Sequence, residues 1–166
     1  MSGFAIGTKL GLGVVGGLTR QIDNQINVYP NGGSAAILFG APVARSGEKV
    51  IPWASTSVAA DFVGIAVRIV KTNETYGLSD PKYLPDEPVD VLTRGGIAVE
   101  CVKDATATSD PTAGGKVFIR VATGVFVAAA EGAAGADTIE LPNAIWANSG
   151  RDASGLAEIT LLERRA

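Results

Sequence analysis

Asp80, Asp86, Glu87 and Asp90 crowd around one proline-rich stretch, and paired carboxylates are the first chemistry this chain suggests. Two carboxyl groups held roughly 5–10 Å apart can cleave a glycosidic bond, and the same oxygens can ligate calcium. Neither plan is met. No Asp-x-Asp-x-Asp-Gly series is present, so the spacing matches no calcium loop. Histidine is absent from all 166 residues. That removes the usual general base near neutral pH, the Ser-His-Asp and Cys-His arrangements, and the commonest metal ligand. Ser55, Thr56 and Ser57 therefore have no base to activate them. Cys101 is the single cysteine, which excludes an internal disulfide and a thiolate zinc site built within one chain. The acidic stretch reads as a solvated loop. The sequence offers no catalytic residue, no metal site and no cofactor site.

Gly11-Leu12-Gly13-Val14-Val15-Gly16 matches GxGxxG literally. A dinucleotide site needs that motif between a strand and a helix, with an acid about 20 residues on. No strand run precedes it, Thr19-Arg20-Gln21 gives no helix behind it, and no crossover unit follows. The match is compositional. Residues more suited to contact than to catalysis are Trp53, Trp146, Arg68 and Arg94. Both tryptophans flank loops, where they pack in the core or anchor a protein interface. Both arginines close strands, Arg94 beside glycines, where a guanidinium can pair with a carboxylate of its own chain or of a neighbour.

Composition limits the elements that can position these residues. Hydrophobic residues are 46% of the chain and charged residues 19%, below the roughly 25% typical of soluble domains. A positive mean hydropathy with few charges implies that more surface than usual meets another protein. A net charge of −3 argues against a nucleic-acid binder, which needs a basic stripe over the phosphates. No apolar run approaches the length of a transmembrane helix, and the start lacks a basic leader. The expectation is a protein made in the cytoplasm, with no nucleic acid or membrane among its partners.

Residues 1–33 form a Gly-rich stretch in which glycines at 3, 7, 11, 13, 16 and 17 interrupt single apolar residues. They predict an extended arm ahead of one domain spanning 34–166. From Ser34 onward short strands follow one another. Phe62 to Val70 places Val63, Ile65, Val67 and Ile69 on one face. Residues 84–102 read as two strands around an Arg94-Gly95-Gly96 turn, since paired glycines can reverse a chain. Val117, Ile119 and Val121 alternate before the Gly124 turn, and two shorter runs cover 138–141 and 144–146. In the last strand Ala157, Ile159 and Leu161 face in while Glu158 and Thr160 face out. Asn73 to Pro88 holds too many prolines for a central strand. The fold predicted is all-β: a jelly-roll-like antiparallel β-barrel or sandwich with an extended Gly-rich N-terminal arm.

Several landmarks occur in order: Phe39-Gly40-Ala41-Pro42-Val43, Phe62-Val63-Gly64-Ile65-Ala66-Val67-Arg68, Val89-Asp90-Val91-Leu92-Thr93-Arg94-Gly95-Gly96-Ile97-Ala98-Val99, Gly114-Gly115-Lys116-Val117-Phe118, Thr123-Gly124-Val125-Phe126 and Gly155-Leu156-Ala157-Glu158-Ile159. The series resembles the cement, or head-decoration, proteins of tailed bacteriophages over about residues 34–163. The resemblance implies a jelly-roll-like barrel on the outer face of a virion capsid. There it would bridge neighbouring major capsid protein subunits, itself a dimer or trimer, with no catalytic residues to carry over. Two other readings stay open: a small-molecule-binding β-barrel, and a carboxylate-dependent glycan hydrolase.

Overall fold

Short runs rich in valine and isoleucine, cut by glycine and proline, become strands here because branched side chains pack well on a pleated surface. The structure, a computed structural model, describes residues 12–69 and 82–162. In chain order the strands are β1 (Leu18–Pro30), β2 (Ile37–Leu38), β3 (Pro42–Ser46), β4 (Lys49–Pro52), β5 (Phe62–Ala66), β6 (Lys82–Tyr83), β7 (Pro88–Glu100), β8 (Lys116–Arg120), β9 (Phe126–Val127), β10 (Thr138–Trp146) and β11 (Leu156–Leu161). One antiparallel sheet runs β4-β3-β5-β7-β11-β10-β8-β9, with β1 added against β7, and β2 pairs with β6 apart from it. The long sheet curls into a half-barrel, which bears out the all-β expectation.

β7 is the organising strand, and it corrects the expected hairpin. Arg94-Gly95-Gly96 does not divide residues 84–102 into two strands, because β7 runs through all three as one strand of 13 residues. Val91 and Leu92 pair with β5, while residues 95–100 pair with β11. The two glycines instead let another segment lie on the strand. Gly95 has φ +119, and a Cβ placed there would fall within 3.0 Å of the Asn24 Cα. The Gly96 N–H donates to Asn24 Oδ1 at 3.2 Å. The β1–β7 register slips on either side of Gln25. Inward-facing parity changes at the same place. Leu92 shares a core with Ile97, Val99 and Cys101, so the facing positions go from even to odd. An extra residue in a bulge has this effect, since side chains alternate with a period of two.

Two cores result. The larger gathers Phe62, Ile65, Leu92, Ile119, Leu141, Trp146 and Ile159 among others. The smaller, on the opposite side of β5 and β7, holds Ile37, Phe39, Val43, Val63, Tyr83, Val89 and Val91. Phe39 and Tyr83 meet edge to face there at 5.0 Å, and the Tyr83 hydroxyl donates to the Val67 carbonyl at 2.7 Å. Alternation predicts Val63 on the face of Ile65 and Val67. It belongs instead to the smaller core, because the β3–β5 register passes from Gly64 to Phe62 and leaves Val63 as the extra residue.

Three further outcomes concern outward positions and element boundaries. Ala157, Ile159 and Leu161 enter the larger core as expected. Glu158, expected to face solvent, is buried, because Thr19 at the start of β1 lies over it and donates to Oε1 at 2.7 Å. The two short runs at 138–146 are one strand, β10, whose pairing with β8 slips between Leu141 and Ile145. Of the expected N-terminal arm, residues 1–11 lie outside the described residues. Leu18–Pro30 is extended, but it is paired to β7 of its own chain and so lies in the same sheet as strands after Ser34. Gly11, Asp80, most of the Asn73–Pro88 loop and the 163–166 tail also lie outside the described residues.

Candidate functional site

The four contact candidates separate into two kinds. Trp146 is 0% exposed, and Trp53, 8% exposed, stacks edge to face on Phe62 at 6.4 Å. Both rings are walls of the larger core, and neither indole N–H has a hydrogen-bond partner among the described residues. Their loop-flanking sequence positions hid this, because β10 reaches Trp146 and Trp53 packs on Phe62 in the larger core. Arg68 is exposed and lies 5.8 Å from the centroid of the Phe39 ring, a cation–π contact. Arg94 pairs with Asp23 at 2.6 Å across the β1–β7 ladder. The structure thus brings Arg94 to β1 and leaves Arg68 and the two tryptophans apart from it.

Around Arg94 lies a groove of about 270 Å³, lined by Gln25, Asn27, Tyr29, Arg45, Val63, Thr93 and Arg94. Among the described residues its lining carries two cations, one of them Arg94 with its partner Asp23. Arg45 sits over the Tyr29 ring at 5.8 Å and forms no ion pair among the described residues. Thr93 Oγ1 donates to the Gln25 carbonyl at 3.1 Å, which fixes the groove floor to β1. On the other face of β1, Ile26 and Val28 are 39% and 60% exposed. The sequence signal for this surface was the alternation Gln25-Ile26-Asn27-Val28-Tyr29, which the glycine-rich residues before it obscured.

Sequence reasoning also missed two arginines that tie loops down. The Arg120 guanidinium spans two carboxylates, Glu131 at 2.7 and 2.9 Å and Asp104 at 2.9 and 3.2 Å. Glu131 is almost fully buried, and the shared arginine is what makes its burial tolerable. Asp104 Oδ1 also accepts the backbone N–H groups of Thr106 and Ala107. Arg120 beside it, with those N–H groups, lowers the Asp104 carboxyl to about 2. Glu131 lines a shallow pocket with Arg120, and Asp104 shares that arginine. An acid held as low as Asp104 gives up no proton near neutral pH. Arg151, 7% exposed, donates to the carbonyls of Cys101, Val102 and Ser109 at 3.1, 2.8 and 2.9 Å and holds Asp110. Outward parity on β8 places Arg120, but nothing local marks Arg151. Among the described residues no group of histidine, cysteine and carboxylates is placed to hold a metal ion.

The arrangement is a scaffold with cationic and apolar surface and with its interior charges committed to loops. Comparison with known proteins agrees with that reading. The family model described as structural cement protein (E217 gp24/Pam3 gp6) matches residues 4–162. A chain of "The capsid of Myoviridae Phage XM1" superimposes with a TM-score of 0.71 at 13% identity, covering 95% of each chain, a likeness of fold. No curated protein matches. The chain belongs to the phage structural cement protein family.

Proposed function

We propose that this protein binds the outer face of a tailed-phage head and bridges neighbouring major capsid protein subunits, with no catalytic activity. The observation that carries the proposal is the family match over residues 4–162. The geometry supports it. The larger core packs apolar side chains between the curled strands, and Glu131 and Asp104 are both held by Arg120.

The mechanism is thermodynamic. A head packed with DNA is pushed outward, and its weak points are the junctions between capsomers. A protein that binds the closed lattice and not dissociated subunits stabilises the lattice by mass action. A standard interface buries roughly 1,600 Å², and a dimer or trimer of this chain touching several capsid subunits gains further from effective concentration. Such a role places the protein on the virion surface after synthesis in the host cytoplasm.

The test is co-sedimentation with empty expanded shells of the cognate phage. The expected result is a fixed ratio to the capsid protein and a raised shell melting temperature. Failure to sediment with shells would end this reading.

A further inference from the structure

Among the described residues one edge of β1 is left open. Among the described residues β1 pairs with β7 alone, so along residues 25–29 its second edge faces no strand. Beyond Pro30 that edge closes, because Asn31 bridges to Val50 and the Gly32 N–H donates to the Val50 carbonyl. Proteins normally protect an edge strand with lysine, inward charge or a mid-strand proline. Gln25-Ile26-Asn27-Val28-Tyr29 carries none of these.

The two faces of this edge differ. On one, Ile26 and Val28 present apolar side chains to solvent. On the other, Gln25, Asn27 and Tyr29 form one side of the groove whose remaining lining includes Arg45 and Arg94. In a chain of net charge −3, the described residues lining this groove include two guanidinium groups, of which Arg94 already carries the Asp23 carboxylate. Arg45 lacks an ionic partner among the described residues, and the Asp23 paired with Arg94 is itself mostly exposed. An added strand supplies alternate side chains to the two faces of a sheet. The occupant that satisfies both faces is therefore an extended segment in which acidic residues alternate with apolar ones.

We propose that the free edge of β1 accepts such a segment from a capsid subunit by strand addition, its acids meeting Arg45 and Arg94 and its apolar residues covering Ile26 and Val28. This rests on the cement reading above. A second copy of this chain fits less well. Pairing β1 with β1 would bring together two Arg45 side chains that have no ionic partner among the described residues.

The full-length protein is titrated with a synthetic peptide of about eight residues alternating aspartate and valine, the length of a typical strand. A lysine–valine peptide is the control, and amide shifts are read by NMR. The expected result is perturbation centred on residues 25–29 by the acidic peptide alone. Arg45→Gln with Arg94→Gln should weaken binding by about tenfold or more, as the loss of a charge-assisted pair does. Lys116→Gln, on β8 outside the groove, should change nothing. Equal binding of both peptides, or no perturbation of β1, overturns the proposal.

Shell sedimentation is the second arm, with melting temperatures checked for each variant. If the native protein sediments with shells and Val28→Asp with Arg45→Gln does so equally, the edge proposal fails while the cement reading stands. If the native protein does not sediment, the cement reading fails, and a β1 shift with the acidic peptide still supports the edge as an acidic-segment site. A dimer seen by light scattering and lost in Val28→Asp would assign the edge to a second copy and overturn the proposal.

Discussion

Replacing Gly95 by alanine tests whether β7 can act as one strand only because β1 lies on it there. Two costs add at this position. The backbone has φ +119, a region that L-residues rarely adopt, and conformational strain of this kind costs about 1–3 kcal/mol. The new methyl would also fall 1.9 Å from Asn24 Oδ1 and 3.0 Å from the Asn24 Cα. Asn24 must move, and its acceptance of the Gly96 N–H, worth about 1 kcal/mol, is lost. The sum is about 2–4 kcal/mol.

Gly47 supplies the control. It has φ +63 with nothing within 4 Å of the methyl that alanine would add, so Gly47→Ala should cost only the left-handed strain, about 1–2 kcal/mol. For a domain of this size each kcal/mol moves Tm by about 2–4 °C, so Gly95→Ala should melt roughly 4–16 °C low and Gly47→Ala roughly 2–8 °C low. Urea denaturation of both variants gives the free energies directly. Adding Asn24→Ala to Gly95→Ala should recover part of the loss, because it removes the amide the methyl strikes. A Gly95→Ala protein no less stable than Gly47→Ala would refute the close approach of β1 to β7.

Arg151→Ala removes donors to the carbonyls of Cys101, Val102 and Ser109 and to Asp110. Because water can replace some of them, the expected loss in a urea melt is about 2–4 kcal/mol, and Arg151→Lys should recover little of it because lysine lacks the planar fork. A loss under about 0.5 kcal/mol, the level of an ordinary surface change, would show that the clamp does not hold the 101–110 loop. The Asp104 carboxyl is held below its unfolded value of 3.8, at about 2, so its contribution is present above that unfolded value. It is lost as pH falls through the folded value. Hydrogen exchange of the Thr106 and Ala107 amides should therefore accelerate, beyond the intrinsic change, between about pH 4 and pH 2, and an unchanged protection factor over that range would count against the Arg120 tether. Burial pushes the Cys101 thiol up to about 11. It should resist a thiol reagent at pH 8 in the native protein and react promptly in urea, and fast native labelling would contradict its place in the core.

The class of fold was legible in the order of residues alone. Alternation at Val117 and Ile119, and at Ala157, Ile159 and Leu161, is enforced by strand geometry, and these side chains lie in the core. The lack of histidine and the single cysteine likewise bounded the chemistry without reference to any contact. The ordered strand-and-glycine landmarks carried the family. Whatever depends on a partner distant in the chain had to wait for the folded molecule. Arg94-Gly95-Gly96 reads as a turn in isolation, and only Asn24 lying across Gly95 makes it a bulge within one strand. Glu158 alternates outward as expected, yet Thr19 buries it. Trp146 sits at a loop by sequence and in the core by packing, and Arg45 and Arg94 share a groove only because β3, β5, β7 and β1 curl past one another. Strand periodicity fixes which side a residue faces, but the segment that comes to lie on that side is chosen by the pairing of strands far apart in sequence.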